Sequence, residues 1–277
     1  MKKTLNQIIS EAKKYVSDEL TFEEIKWLLL EKLSLKDYEL ILRKEESFEC
    51  DDFFFLLQKA KTIPVSYLLN YQDFYGYRFY VDNNVLIPRN ETEFLVEMVL
   101  DYININKLKS INICEVGSGS GCLSIALNLE LNKLNIENKI ISGDISEKAL
   151  NVAKKNALNL NSDVHFVESD CLENISFDYQ ILVSNPPYIK KGNYVSNRVL
   201  DNEPMIALYA EEDGLLIYRK TFSSIDIKKV RALFFEISPD LVDGLELLKE
   251  KYLASYESNY IKDINGFIRY ASYIRND

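Results

Sequence analysis

From Ser110 onward the chain alternates short apolar runs, INICEV, KIISGD, VHFVESD, YQILVSN and RALFFEI, with helical stretches such as SEKALNVAKKNALNL. A strand that is apolar nearly throughout has no solvent face, so helices must cover it on both sides. Strand–helix–strand order then makes neighbouring strands parallel. The pattern predicts an α/β, doubly wound, Rossmann-like sheet. The terminal ASYESNYIKDINGFIRYASYI, with Asn265-Gly266 as a tight turn, adds an antiparallel pair at its edge.

Ahead of this sheet the rhythm is helical to about residue 72. Leu5, Ile8, Ile9, Ala12, Tyr15 and Val16 recur at steps of three and four, and Thr21 with Glu24 forms a capping box before FEEIKWLLLEKL. A further helix is expected across DDFFFLLQKAK, and aromatic alternation around Gly76 predicts a short hairpin. Asn90 with Glu93 is expected to cap the next helix. The expected division is a small helical-bundle recognition domain over 1–72, a hairpin linker over 73–89 and a catalytic domain over 90–277.

With 277 residues and 47% apolar content, the chain can bury a core in each of two domains. No apolar run approaches the ~18 residues of a membrane span, and the amphipathic N-terminus lacks the apolar core of a signal peptide; the expected location is cytoplasmic. The four cysteines, Cys50, Cys114, Cys122 and Cys171, form no C-x-x-C pair, and the one histidine, His165, sits in an apolar strand run. These features disfavour a disulfide framework, a metal site and a histidine triad. The net charge of −10 opposes general binding to nucleic acid backbones. The expectation is a monomer with a protein or small-molecule partner, and no membrane or stable nucleic-acid partner.

Chemistry concentrates at the strand ends. In EVGSGSGCLSIAL, Gly117, Gly119 and Gly121 let the backbone turn sharply and approach a ligand at a helix N-terminus. The spacing G-x-G-x-G is not the dinucleotide fingerprint G-x-G-x-x-G, so the turn alone does not name its ligand. Asp144 ends the second strand, where a carboxylate can accept hydrogen bonds from ribose hydroxyls. Glu115 adds a carboxylate suited to an ammonium group, as in the amino-acid tail of S-adenosylmethionine. Asp170 and Cys171, after the third strand, fall where adenine would lie, with Asp170 as an acceptor for its amino group or, alternatively, a helix cap.

The fourth strand stops at SNPPYI. A residue before proline is held extended, which carries Asn185 to the strand's carboxyl edge, and Pro186-Pro187 fixes the turn. The Asn185 side-chain oxygen and the Pro186 carbonyl can then accept both hydrogens of one substrate NH2 group, with Tyr188 stacking over its plane. An amide or exocyclic amine held this way can turn its nitrogen lone pair toward a sulfonium methyl, and positioning supplies most of the acceleration.

These motifs, with PVSYLLNYQDFYGYRFYVDNNVLIPRNETEFLVE and NEPMIALYAEEDGL, resemble the peptide chain release factor glutamine methyltransferases, the PrmC/HemK family of class I S-adenosylmethionine-dependent enzymes, from Pro64 onward. The resemblance implies contacts to S-adenosylmethionine at Gly117, Ser118, Gly119, Ser120, Gly121, Asp144, Cys171 and Asn185, and no metal. It implies substrate contacts at Asn185, Pro186, Pro187 and Tyr188, with Arg89 and Thr92 in the substrate-side loop. The acceptor would be the glutamine of the release factor's Gly-Gly-Gln segment. The chain departs from the family pattern at Glu115-Val116 in place of Asp-Leu, at Asn90 in place of proline, at Cys171 in place of a bulkier residue, and at Ser238-Pro239 after Glu236-Ile237. The same acceptor chemistry leaves open a glutamine in a ribosomal protein, adenine N6 in nucleic acid, or a non-catalytic cofactor-binding protein.

Overall fold

The computed structural model describes residues 1–190 and 192–276. The backbone forms two compact units, Met1–Tyr71 with Tyr194–Asn202, and Gln72–Asn193 with the chain from Glu203 onward.

The first unit contains β1 (Lys2–Thr4), α1 (Leu5–Ala12), α2 (Phe22–Leu33), α3 (Glu39–Leu42), β2 (Ser47–Glu49), α4 (Asp51–Lys59) and α5 (Val65–Leu69). Leu5, Ile8, Leu28, Leu29, Phe53 and Leu57 pack as its core. The capping box forms as expected: Thr21 Oγ1 accepts the Glu24 N–H at 3.2 Å, and Glu24 Oε2 accepts the Thr21 N–H at 3.0 Å. Two features go beyond the helical reading. β1 pairs antiparallel with β2. The segment Tyr194–Asn202, distant in sequence, joins this unit through Arg198, a buried side chain whose Nη1 lies 2.9 Å from Glu24 Oε1.

The second unit opens with a hairpin, β3 (Tyr71–Phe74) and β4 (Tyr77–Tyr80). Tyr75 and Gly76 between them both take positive φ, the geometry whose twist matches that of paired strands. From Gln72 onward this hairpin groups with the larger unit. Next come α6 (Glu93–Ile105), β5 (Ser110–Val116), α7 (Cys122–Lys133), β6 (Glu137–Asp144), α8 (Glu147–Leu160), β7 (His165–Glu168) and β8 (Ile181–Ser184). The expected Asn90 cap does not form. Asn90–Thr92 is a 3-10 turn without a side-chain cap, and the Glu93 carboxylate accepts the Tyr75 N–H at 2.7 Å, so the hairpin takes the group that a capping box would need.

β9 (Ala232–Glu236), β10 (Tyr256–Lys262) and β11 (Ile268–Arg275) complete a seven-stranded sheet of order β10-β11-β9-β8-β5-β6-β7. The run from β9 to β7 is parallel, and β11 lies antiparallel between β9 and β10, as the apolar pattern predicts. Successive residues feed opposite faces: Ile113, Val183 and Phe234 join one apolar cluster, and Cys114, Leu182, Leu233 and Phe235 the other. Both faces are covered, which is why these strands read as apolar throughout. The terminal hairpin turns at Asp263, whose Oδ1 accepts the N–H groups of Asn265 at 2.9 Å and Phe267 at 3.0 Å. Its register sets Tyr270 opposite Glu236, and the Tyr270 hydroxyl donates to the Glu91 carbonyl at 2.8 Å.

After β5 the chain builds outward through β6 and β7, then returns to place β8 on the other side of β5. The carboxyl ends of β5 and β8 flank this switch point, where ligands bind in open α/β sheets. Among the described residues no helix is long and apolar enough to cross a membrane.

Candidate active site

β5 runs straight into the glycine turn. The N–H groups of Gly117 and Ser118 both donate to the Gly143 carbonyl, at 2.8 and 3.0 Å, which bends the chain over the end of β6. The glycines differ in purpose. A Cβ on Gly119 would meet nothing within 4 Å, so that residue borders open space. A Cβ on Gly121 would lie 3.0–3.2 Å from Ile125, Ala153 and Phe166, so its hydrogen serves close helix–sheet packing. Asn156 of α8 holds the turn from behind, donating to the Ser120 and Tyr80 carbonyls at 2.9 Å and accepting the Tyr80 N–H at 2.7 Å.

Two acids stand at the turn. Asp144 Oδ2 accepts the Gly119 N–H at 2.8 Å and Oδ1 accepts the Ser146 N–H at 2.9 Å, while burial raises its pKa against these bonds. Glu115 is buried, and its carboxylate accepts the hydroxyl of Ser142, to which Ser118 Oγ lies 2.6 Å away. Desolvation pushes the Glu115 carboxyl up to about 8, opposed by hydrogen bonds from Ser142 and Ser124.

Asn185 follows β8 directly, as its place before proline predicts, and a Cβ on Gly117 would sit 3.9 Å from the Asn185 carbonyl oxygen. The glycine turn and the Asn-Pro-Pro-Tyr segment thus adjoin. Asn185 Nδ2 donates to Thr92 Oγ1 at 2.8 Å, and Thr92 donates onward to Glu236 Oε2 at 2.7 Å. The other Glu236 oxygen accepts the Tyr188 hydroxyl at 3.1 Å. Burial raises the pKa of Glu236, while the bonds from Thr92 and Tyr188 oppose the rise.

A cavity of about 700 Å³ brings most of the expected residues together: Glu115, Gly117, Ser118, Gly119, Ser120, Asp144, Asp170, Cys171, Asn185, Pro186, Pro187, Arg89 and Thr92 all line it. Gly121 and Tyr188 do not; the one packs behind the turn and the other points its hydroxyl at Glu236. Three residues escaped the sequence reading. Glu203 is buried and binds Arg89 Nη2 at 2.7 Å and the Ile87 N–H at 3.1 Å; Lys220 lines the cavity and pairs with Asp170; Glu236 anchors Thr92. Glu203, in NEPMIAL, could have been suspected as an acid beside a proline. Glu236 reads only as the end of the strand in RALFFEI, with no role given to its side chain, and Lys220 carries no local signal. Met205, Ile206, Leu216 and Ile217 supply an apolar wall.

Comparison with known proteins bears on this geometry. The family model described as the methyltransferase small domain matches residues 90–206, which include the glycine turn, Asp144 and Asn-Pro-Pro-Tyr. The release factor glutamine methyltransferase of Flavobacterium psychrophilum is 34% identical over 265 residues, covering 91% of each chain. That of Streptococcus pneumoniae is 39% identical over 244 residues, covering 86% of this chain and 85% of its own. The chain belongs to the release factor glutamine methyltransferase family. Among solved structures, the hMettl16 catalytic domain in complex with MAT2A 3'UTR hairpin 6 aligns with a TM-score of 0.56 at 15% identity, over 84% of this chain and 86% of that one. At that identity it speaks for the fold alone. The sheet order, with its antiparallel terminal strands, is that of a Rossmann-like class I methyltransferase.

The cavity suits the family's cofactor on its own features. Gly119 leaves space where a side chain would intrude, and among the described residues the buried Ser120 Oγ has no hydrogen-bond partner within normal geometry. Two carboxylates with different surroundings stand beside that space, one at each strand end. The site can therefore hold a cation near Glu115 and polar hydroxyls near Asp144.

Proposed function

We propose that this chain transfers a methyl group from S-adenosylmethionine to the side-chain amide nitrogen of the glutamine in the Gly-Gly-Gln segment of a cytoplasmic peptide chain release factor. The observation that carries the reading is the Asn185 carboxamide. Its nitrogen is occupied by Thr92, which leaves Oδ1 as the acceptor at the edge of the cavity that the glycine turn also lines.

S-adenosylmethionine, when bound, supplies an electrophilic sulfonium methyl. Glu115 would hold the ammonium end, the turn at Gly117–Gly121 would let the backbone approach closely, and Asp144 would accept from the ribose hydroxyls. Asp170 and Cys171 would border the adenine. On the substrate side, Asn185 Oδ1 and the Pro186 carbonyl each accept one N–H of the glutamine carboxamide. Arg89 and Thr92 bound the approach of the Gly-Gly-Gln segment. Two acceptors directed at one NH2 group favour a pyramidal nitrogen whose lone pair would be free to take the methyl; the sulfonium S–CH3 bond would break as N–CH3 forms, leaving S-adenosylhomocysteine, and one amide proton would pass to solvent. Holding the reactants in line can supply about 7 kcal/mol of the barrier reduction. The Pro-Pro turn and the parallel neighbours of β8 keep the acceptors rigid, as such positioning needs.

The deciding experiment incubates the protein with methyl-labelled S-adenosylmethionine and a release factor, and repeats it with the Gly-Gly-Gln glutamine changed to alanine. Label is expected on the native factor alone. Equal label on both removes the reading, and label on a ribosomal protein or on DNA instead redirects it.

A further inference from the structure

We infer that Glu236 and Thr92 are positioning residues that fix which way round the Asn185 carboxamide sits, Glu236 acting through the Thr92 hydroxyl. The inference rests on the glutamine-methylation reading for its purpose, but its geometric content stands by itself.

The two ends of a carboxamide are alike in size and opposite in function, since the oxygen only accepts and the nitrogen only donates. Rotated by half a turn, Asn185 would fill the same space while turning N–H groups toward the N–H groups of a substrate. Its covalent neighbours cannot prevent this, because the proline that follows restrains the backbone and not the terminal torsion. The choice falls to whatever the inner end of the amide meets.

That end meets Thr92 Oγ1 at 2.8 Å. A hydroxyl can donate one hydrogen and accept others, so Thr92 alone would tolerate either amide orientation. Glu236 removes the freedom. Its Oε2 lies 2.7 Å from Thr92 Oγ1 and accepts from it, so the single Thr92 hydrogen is committed to Glu236. Thr92 then has only lone pairs to offer, and only the NH2 end of Asn185 can meet them. The Tyr188 hydroxyl at 3.1 Å occupies the second carboxylate oxygen. Donation thus runs one way, from Asn185 to Thr92 to Glu236, with Oδ1 left outward; no described residue donates to it.

The frame around this chain is stiff. Thr92 and Glu236 are both buried, Glu236 ends a strand hydrogen-bonded to β8 on one side and β11 on the other, and its carbonyl accepts the Tyr218 hydroxyl at 2.7 Å. Glu236 itself lies outside the cavity lining, so it acts through Thr92.

The test uses the full-length protein with Thr92→Val, Thr92→Ser and Glu236→Gln. Valine keeps the shape of threonine without the hydroxyl, and serine keeps the hydroxyl without the methyl. For Thr92→Val the kcat for release factor methylation is expected to fall by about 10²-fold, the scale of a lost directed hydrogen bond at a reacting centre. Its S-adenosylmethionine Kd and its KM for the factor should stay within about threefold, well inside a 1.4 kcal/mol change. Thr92→Ser should recover kcat to within about threefold of the parent on the same scale. Glu236→Gln can turn either its oxygen or its NH2 toward Thr92, so its kcat should lie between those of Thr92→Ser and Thr92→Val, and if it does not fold, the Val/Ser pair decides.

A second readout needs no substrate: solvent exchange of the Asn185 side-chain NH2 protons, followed by 15N NMR. In the parent and in Thr92→Ser one proton should be protected, and in Thr92→Val neither should be. A Thr92→Val protein with parental kcat, or with unchanged NH2 exchange, overturns the inference, as does a Thr92→Ser protein as impaired as Thr92→Val. Should the parent methylate no release factor, the glutamine reading falls, and the exchange experiment still decides the orientation.

Discussion

Asp144, at the end of β6, accepts the backbone N–H of Gly119 at 2.8 Å, so one carboxylate both braces the glycine turn and borders the space above it. Asp144→Ala is therefore expected to weaken S-adenosylmethionine binding by about 1–3 kcal/mol, the cost of lost hydrogen bonds to a buried polar group. Calorimetric titration measures this. An affinity equal to the parent's would remove Asp144 from the ribose role.

Gly119 and Gly121 should part company when each is changed to alanine. Both take positive φ, which costs an L-residue roughly 1–2 kcal/mol. At Gly121 the new methyl also presses on Ile125, Ala153 and Phe166, so the larger loss of melting temperature belongs there. At Gly119 it enters open space, so that variant should fold with a modest shift and yet bind S-adenosylmethionine poorly. Thermal denaturation paired with titration separates them; the same ranking in both assays would contradict the division.

Glu115 is expected to make S-adenosylmethionine binding pH-dependent. Burial raises its carboxyl from the ordinary 4.5 to about 8, which biases the unliganded protein toward the protonated form near neutral pH. Its contribution to folding stability is full below about 4.5 and is lost as pH rises through about 8, so melting temperature should decline across that window relative to Glu115→Gln. An incoming ammonium favours the ionised carboxylate and expels the proton. Affinity for S-adenosylmethionine should therefore rise between about pH 6 and 8, by at most about tenfold per unit, and Glu115→Gln should flatten the rise. Titrations in buffers of differing ionisation enthalpy count the released proton. Zero release at pH 7 would separate Glu115 from the ammonium.

Arg89 and Glu203 form an unequal pair, the arginine 36% exposed and the glutamate 1%. Arg89→Met strands a buried carboxylate, and after allowance for the solvent-screened arginine the loss of stability should be about 1–3 kcal/mol. Glu203→Gln should cost less, because an amide can still accept the Ile87 N–H. Urea denaturation of both variants reads the difference, and an Arg89→Met protein as stable as the parent would mean that solvent already satisfies Glu203.

What could be read from the sequence follows from how far apart the interacting residues lie. The apolar strands, the hairpin at Tyr75-Gly76, the turn at Gly117–Gly121 and the extended Asn185 each depend on local torsions or on burial of both sheet faces. Local sequence carries those constraints. Thr92 and Glu236 are 144 positions apart, and Arg89 and Glu203 are 114 apart; nothing near either member foretells the other. Asn90 failed as a cap for a related reason, since a distant hairpin claimed Glu93. The β1–β2 pair is three residues a side, too short for any alternation to register.

The place of β11 in the sheet bears on when the enzyme becomes competent during synthesis. It follows the other described strands in the chain, yet it inserts between β9 and β10, sets Tyr270 beside Glu236 and tethers Glu91, the residue next to Thr92. A chain still attached to the ribosome, with residues past about 260 inside the exit tunnel, has the glycine turn and the Pro-Pro segment in hand but not the final alignment of Asn185, Thr92 and Glu236. Catalytic readiness therefore waits until β11 has emerged and paired with β9.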